Sequence, residues 1–258
     1  MDGRIGENLV DEVQSNGVLW LKLGRAPAHA LSRTMIEALD GALARAAQDG
    51  DVRVVIVQGE GRIFCAGHDL KEIRRHRADA DHGRAYLEAL FESCGRMMLR
   101  LAGMPQPTIA VLDGMATAGG LQLMASCDLA FAGENARFCL PGVSNGGFCT
   151  TPSVAVSRKV SYGHLMEMAL SGEDFDADWA LRTGLVNRVY PSISLEAEAQ
   201  AFAEKLAARH APAVALGKAT VQAQMALPLK EAYAEATPAM VAHFMDPHRI
   251  EKERRARS

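Results

Sequence analysis

Two short runs, Val52 to Val57 and Thr108 to Leu112, carry almost no polar residue and set the strongest limit on how this chain folds. Runs of that length without alternation read as strands covered on both faces, which requires a sheet flanked by helices. The neighbouring pattern supplies those helices. Val18 to Leu23 is a further strand, and Ser32 opens a helix whose apolar face is Met35, Ile36, Leu39 and Leu43. Tyr86, Leu87, Leu90, Phe91, Cys94, Met97, Met98 and Leu101 recur at three- and four-residue steps and predict a long helix, which Pro105 and Pro107 end. Asp128 to Ala132 and Ala136 to Phe138 read as short strands. After a loop from Pro141 to Pro152, Val154 to Val160 and His164 to Leu170 read as helices. Asp176 to Thr183 is a helix stopped by Gly184, and Val186 to Tyr190 is the last strand. Only helical patterns remain from Leu195 onward. The expected architecture is an α/β core of repeated strand-strand-helix units over residues 1–194. A helical C-terminal lobe follows over 195–258, the two forming one integrated domain.

Composition narrows the function classes. A net charge of -3 gives no global attraction to nucleic acid or to an anionic membrane surface. Two basic clusters stand against that background: Arg74-Arg75-His76-Arg77, a candidate phosphate contact, and Arg249 to Arg257, read as a solvated tail. The five cysteines, at 65, 94, 127, 139 and 149, form no paired motif and lack histidines at zinc-ligand spacing, so reduced thiols and no metal are expected. The first twenty residues hold charges and no long apolar stretch, which argues against a secretory signal or a membrane span. A cytoplasmic protein is the expectation.

The two buried runs each lead into a glycine turn. Phe64 to Leu70 reads Phe-Cys-Ala-Gly-His-Asp-Leu, and Asp113 to Leu123 reads Asp-Gly-Met-Ala-Thr-Ala-Gly-Gly-Leu-Gln-Leu. The first can present a backbone N–H after Gly67. The second puts Gly119 and Gly120 at the start of an apolar helix, where N–H groups lack helical acceptors and the helix dipole is positive. Two such donors aimed at one carbonyl oxygen form an oxyanion hole, suited to the charge that develops when a thioester becomes an enolate.

These segments, with three others in order, resemble the crotonase superfamily, also called the enoyl-CoA hydratase/isomerase family. Leu23-Gly-Arg-Ala-Pro-Ala-His-Ala-Leu31 is similar to the family's opening segment and Asp51 to Val57 to its second strand. Gly67 and Gly119-Gly120 match its oxyanion segments, and Ala180 to Val189 matches its late A-x-x-x-G-L-V-x-x-V signature. The resemblance implies a spiral of ββα units with a C-terminal helical region, assembled as homotrimers or dimers of trimers. It implies an acyl-CoA thioester as partner, with coenzyme A entering as part of the substrate and no permanently bound cofactor. By position, the oxyanion donors are the backbone N–H groups of His68 and Gly119. Backbone around Ala28, Ala30, Ala66, Asp69, Leu70 and Gly120 would hold the substrate.

The same resemblance exposes a departure. Family hydratases place two carboxylates around a water, three residues after the second oxyanion glycine and just after the next loop's proline. Here those positions hold Gln122 and Gly142. An amide orients water but does not exchange its proton near neutral pH, and glycine has no side chain. Cys149, Thr150 and Thr151, in the loop ending at Pro152, are the candidate replacements. Ala66-Gly-His-Asp69 also resembles the family's methylmalonyl-CoA decarboxylases, in which loss of carbon dioxide generates the enolate. The expected function is therefore an enoyl-CoA hydratase-like enzyme that stabilises an enolate. The alternatives are a decarboxylase of malonyl-type thioesters and an acyl-CoA binder without turnover. Two competing patterns are weaker. Gly142-Val-Ser-Asn-Gly146 matches the nucleophile elbow of serine hydrolases and would make Ser144 a nucleophile, but prolines and glycines flank it where a strand and a helix belong. Gly59-Glu-Gly61 is half of a dinucleotide fingerprint and has Phe64 where the third glycine should be.

Overall fold

A computed structural model describes residues 8–256. The chain forms β1 (Val10–Ser15), β2 (Val18–Leu23), α1 (Arg33–Gln48), β3 (Val54–Gln58), β4 (Ile63–Cys65), α2 (Leu70–Arg75) and α3 (Arg84–Gly103). It continues through β5 (Thr108–Leu112), β6 (Met115–Thr117), α4 (Gly119–Ser126), β7 (Leu129–Gly133), β8 (Arg137–Cys139), α5 (Thr150–Val156) and α6 (Tyr162–Ser171). It ends with β9 (Asp174–Asp176), α7 (Ala177–Thr183), β10 (Arg188–Tyr190), α8 (Leu195–Ala207), α9 (Ala211–Gln224), α10 (Leu229–Met245) and α11 (Pro247–Arg255).

The strands make two sheets. A six-stranded sheet runs β1-β2-β3-β5-β7-β10, parallel except for β1, and a four-stranded sheet runs β4-β6-β8-β9, with only β9 antiparallel. Each of the pairs β3-β4, β5-β6 and β7-β8 sends its first strand to the larger sheet and its second to the smaller, and a helix follows. That repeat is the ββα spiral. Because the second strands run parallel and adjacent, the turns after β4 and β6 emerge side by side.

The unbroken apolar runs have two destinations. Val55 and Val57 enter the core under α1, α3 and α4, whereas Val54 and Ile56 face the opposite side, covered by Leu195, Ala199 and Ala203 of α8. β5 divides the same way, Ala110 and Leu112 against Ile109 and Val111. Ser32 caps α1 by accepting from the Met35 N–H at 3.2 Å.

The C-terminal helices are tied to the core by polar contacts: Lys218 Nζ on α9 donates to Asp128 Oδ2 at 2.6 Å and to the Gln106 carbonyl at 3.0 Å. The run from Arg249, read as a solvated tail, is mostly exposed but is ordered as helix α11 as far as Arg255, and Arg257 lies outside the described residues. Asp246 caps it, Pro247 fits its first position, and Arg249–Glu253 and Arg255–Glu251 pair one turn apart. No described helix is long and apolar enough to cross a membrane.

Candidate active site

β4 delivers Ala66 to Asp69 to a tight bend beside the loop 28–31. The Ala66 N–H donates to the Ala28 carbonyl (2.9 Å), the Leu31 N–H to the Gly67 carbonyl (2.8 Å) and the Asp69 N–H to the Leu31 carbonyl (3.3 Å). Since these bonds all face one side, the intervening His68 N–H points the other way. Asp69 closes the bend by capping α2, accepting from Lys71 N–H (2.8 Å) and Glu72 N–H (3.2 Å). Thus Ala28, Ala30, Ala66 and Asp69 form one continuous backbone wall, with Leu70 exposed beside it. Gly120 plays a different part: it is buried, and a Cβ there would lie 2.0 Å from the Cys65 carbonyl oxygen, so its role is to let α4 press against β4.

The second half of the site adjoins the first. Gly67 has φ +82°, and a Cβ built on it would lie 2.9 Å from the Gly119 nitrogen. Gly119 is the first residue of α4. Among the described residues, neither the His68 N–H nor the Gly119 N–H finds an acceptor. Two unpaired donors and a positive helix end therefore share one small region.

The His68 ring lies over this junction. A Cβ on Gly119 would come within 3.1 Å of its Nδ1, and Phe91 of α3 meets it edge-on at 4.9 Å between centroids. Its Nε2 is buried without a hydrogen-bond partner, and burial pushes its pKa down to about 4. The ring is therefore neutral at pH 7. Gln122, one turn along α4 from Gly119, is 6% exposed and its Oε1 is likewise unpartnered. Tyr86 of α3 also has a buried, unpartnered hydroxyl. Phe91 was legible only as one more apolar position of a helix. It is 40% exposed, so its place beside His68, not core burial, accounts for it.

A pH experiment tests this placement. The unfolded chain protonates His68 near its ordinary value of 6.5, and the folded chain only near 4. The contribution of the neutral buried ring is thus complete above pH 6.5 and lost as pH falls toward 4, by about 2 kcal/mol at pH 5. Denaturant unfolding of wild type and His68→Phe at pH 7.5 and pH 5 should show the wild type losing about that much more. Equal losses would place the ring in water.

The candidate proton-transfer residues fare differently. Gly142 precedes a 3₁₀ turn, Val143–Asn145, and a Cβ on it would meet the Cys149 nitrogen at 2.5 Å. Thr150 and Thr151 are not in a loop, as the reading to Pro152 held, but are the exposed first residues of α5. Proline is tolerated in a helix's first turn, where its missing N–H is not needed. Cys149 is buried before α5, its carbonyl accepts the Ser153 hydroxyl at 2.7 Å, and burial pushes its thiol pKa up. A thiol so placed is a packing group rather than a ready base. Ser144 sits in the 3₁₀ turn instead of a strand-to-helix elbow. Among the described residues no histidine or carboxylate hydrogen-bonds its hydroxyl, so the hydrolase arrangement is not formed.

Residues 13–256 match the family model described as enoyl-CoA hydratase/isomerase. The mouse mitochondrial enoyl-CoA hydratase domain-containing protein 3 is 41% identical over 213 residues, covering 83% of this chain and 69% of the relative. Among solved structures, an enoyl-CoA hydratase/isomerase family protein from Silicibacter pomeroyi is 56% identical with a TM-score of 0.89, over 93% of this chain and all of the other. Human enoyl-CoA hydratase domain-containing protein 3 superposes with a TM-score of 0.88 at 35% identity, over 95% of each chain. With its paired sheets, its spiral repeat and these relatives together, the chain belongs to the enoyl-CoA hydratase/isomerase (crotonase) family.

Proposed function

We propose that this chain binds an acyl-CoA thioester and stabilises the enolate formed from it through the backbone N–H groups of His68 and Gly119. The observation that carries this reading is that two unpartnered N–H groups stand close together, where Gly67 packs against the Gly119 nitrogen. A thioester oxygen seated there gains hydrogen bonds that strengthen as negative charge develops, and the first turn of α4 adds a positive dipole end. The 28–31 and 66–70 backbone would hold the coenzyme A moiety. The exposed apolar residues Leu229, Tyr233, Met240, Val241 and Phe244 on α10 support self-association, read as a homotrimer or a dimer of trimers. The five free, buried cysteines fit a reducing compartment such as the cytoplasm.

Gln122 and Gly142 leave no carboxylate at the two hydratase positions, so water addition lacks its usual acid and base. A second reading therefore has its own support. In decarboxylation of a malonyl-type thioester, the electrons of the breaking carbon–carbon bond move into the thioester carbonyl. Carbon dioxide leaves, and water later protonates the enolate carbon. That path needs the oxyanion hole but no base on a carbon-bound proton, and the uncharged His68 ring over the Gly67–Gly119 junction would not hold the departing carboxylate back as an ion pair. Incubation with crotonyl-, malonyl- and methylmalonyl-CoA, followed by mass, separates gain of water from loss of carbon dioxide. Calorimetry with the same thioesters tests the premise. Absence of saturable binding at millimolar ligand would end both readings, and binding without a mass change would leave a binder.

A further inference from the structure

The C-terminal lobe brings together three side chains able to ligate a metal ion, one of them remote in sequence from the other two. His210 immediately precedes α9, while Asp246 and His248 flank Pro247 at the junction of α10 and α11. His210 Nε2 stands 3.1 Å from Asp246 Oδ2, and the His210 and His248 rings stack at 4.3 Å between centroids and 4° between planes. One ligand atom from each residue lies within 4.8 Å of the others. We propose that His210, Asp246 and His248 form a binding site for a divalent transition-metal ion of the zinc class.

The chemistry of the donors selects the ion. Two imidazole nitrogens and one carboxylate oxygen suit zinc, cobalt or nickel, whereas calcium and magnesium prefer oxygen alone. A tetrahedral zinc with bonds of about 2.0–2.1 Å holds its ligand atoms about 3.3 Å apart. The His210–Asp246 separation already meets that distance, and His248, exposed at the surface, closes the remainder by turning its side chain. The carboxylate is pre-positioned: Asp246 Oδ1 caps α11, accepting from His248 N–H (2.8 Å) and Arg249 N–H (3.3 Å), which leaves Oδ2 toward His210. The neighbouring cation is drawn aside, since Arg249 pairs with Glu253 at 2.8 Å and lies over the Phe244 ring at 3.6 Å. Three protein ligands leave a fourth position for water. A bound ion would fasten the start of α9 to the α10–α11 junction.

Cysteine and histidine spacing gave no hint of this site, because 36 positions separate His210 from Asp246. Its test uses the full chain, stripped with chelator and titrated with zinc chloride by calorimetry, with cobalt chloride as the spectroscopic probe. One saturable site per chain is expected, with cobalt absorption of tetrahedral type and a raised thermal midpoint on adding zinc. His210→Ala, His248→Ala and Asp246→Asn should each weaken zinc binding about tenfold or more. The last keeps the helix cap and removes only the anionic ligand, so its stability without metal should stay near wild type. No saturable zinc binding, or equal binding by wild type and both histidine variants, would overturn the proposal.

Discussion

Gly67→Ala is expected to lower turnover of an acyl-CoA thioester about 100- to 1,000-fold, the usual consequence of losing one oxyanion donor. The new methyl group would lie 2.9 Å from the Gly119 nitrogen and 3.2 Å from both the Ala118 Cβ and the Thr117 carbonyl oxygen. None of those atoms belongs to a flexible side-chain end, so α4 or the bend itself must shift. A φ of +82° adds conformational strain for any residue with a Cβ, about 1 kcal/mol. Moving the donor by a fraction of an ångström is enough to misplace a hydrogen bond that counts only as charge develops. The loss should therefore fall on kcat more than on KM. Coenzyme A binding should persist, because the Ala28–Ala66 and Leu31–Gly67 backbone bonds lie on the opposite side of the bend. A folded Gly67→Ala protein that turns over within threefold of wild type would show that the carbonyl is polarised elsewhere.

That prediction rests on backbone geometry, the part of the site that sequence expresses well. A positive φ favours glycine at 67, and the His68 ring lying 3.1 Å from where a Cβ would stand favours it at 119, so Gly67 and Gly119 are visible as letters. The buried strands were legible for a related reason: β3 and β5 lie between two cores and admit no polar alternation. Other elements left no such trace. β4, β6 and β9 have three residues each, too few to establish a period, and β1 is an edge strand with five of six residues exposed. The environment of His68 depends on Phe91, supplied by a helix that packs from elsewhere in the chain. Sequence gives the histidine but not the dry, unpartnered position of its Nε2. The clustering of His210 with Asp246 is likewise tertiary, created by the return of α10 toward the start of α9.

Placing a glutamate at position 142 is expected to destabilise the chain by about 3 kcal/mol, and Gly142→Ala should cost nearly as much. The obstacle is the Cβ, not the carboxylate. It would meet the Cys149 nitrogen at 2.5 Å, the Phe148 carbonyl carbon at 2.7 Å and the Phe148 Cα at 2.8 Å, all backbone atoms. The loop cannot easily retreat, because the Gly147 N–H donates to the Gly142 carbonyl at 2.9 Å and the Asn145 N–H at 3.1 Å. Gln122→Glu presents the opposite case: the side chain keeps its size, and its cost is the desolvation of a carboxylate without a partner, which raises its pKa. The folded carboxylate would then hold its proton above the unfolded value. The single variant should therefore be nearest wild-type stability in acid and lose ground as pH rises through that folded pKa. Urea unfolding of the two single variants and the double variant, beside crotonyl-CoA hydration by each, separates steric from chemical loss. The double variant should unfold early and gain no hydratase activity. If Gly142→Glu matches wild-type stability and the pair raises hydration by about 100-fold or more, the loop is adaptable and the absent carboxylates alone set the reaction. If the wild type already hydrates crotonyl-CoA as fast as the pair, then Gln122 and Gly142 do not mark a lost acid and base. In that event the proton must travel through groups outside this loop.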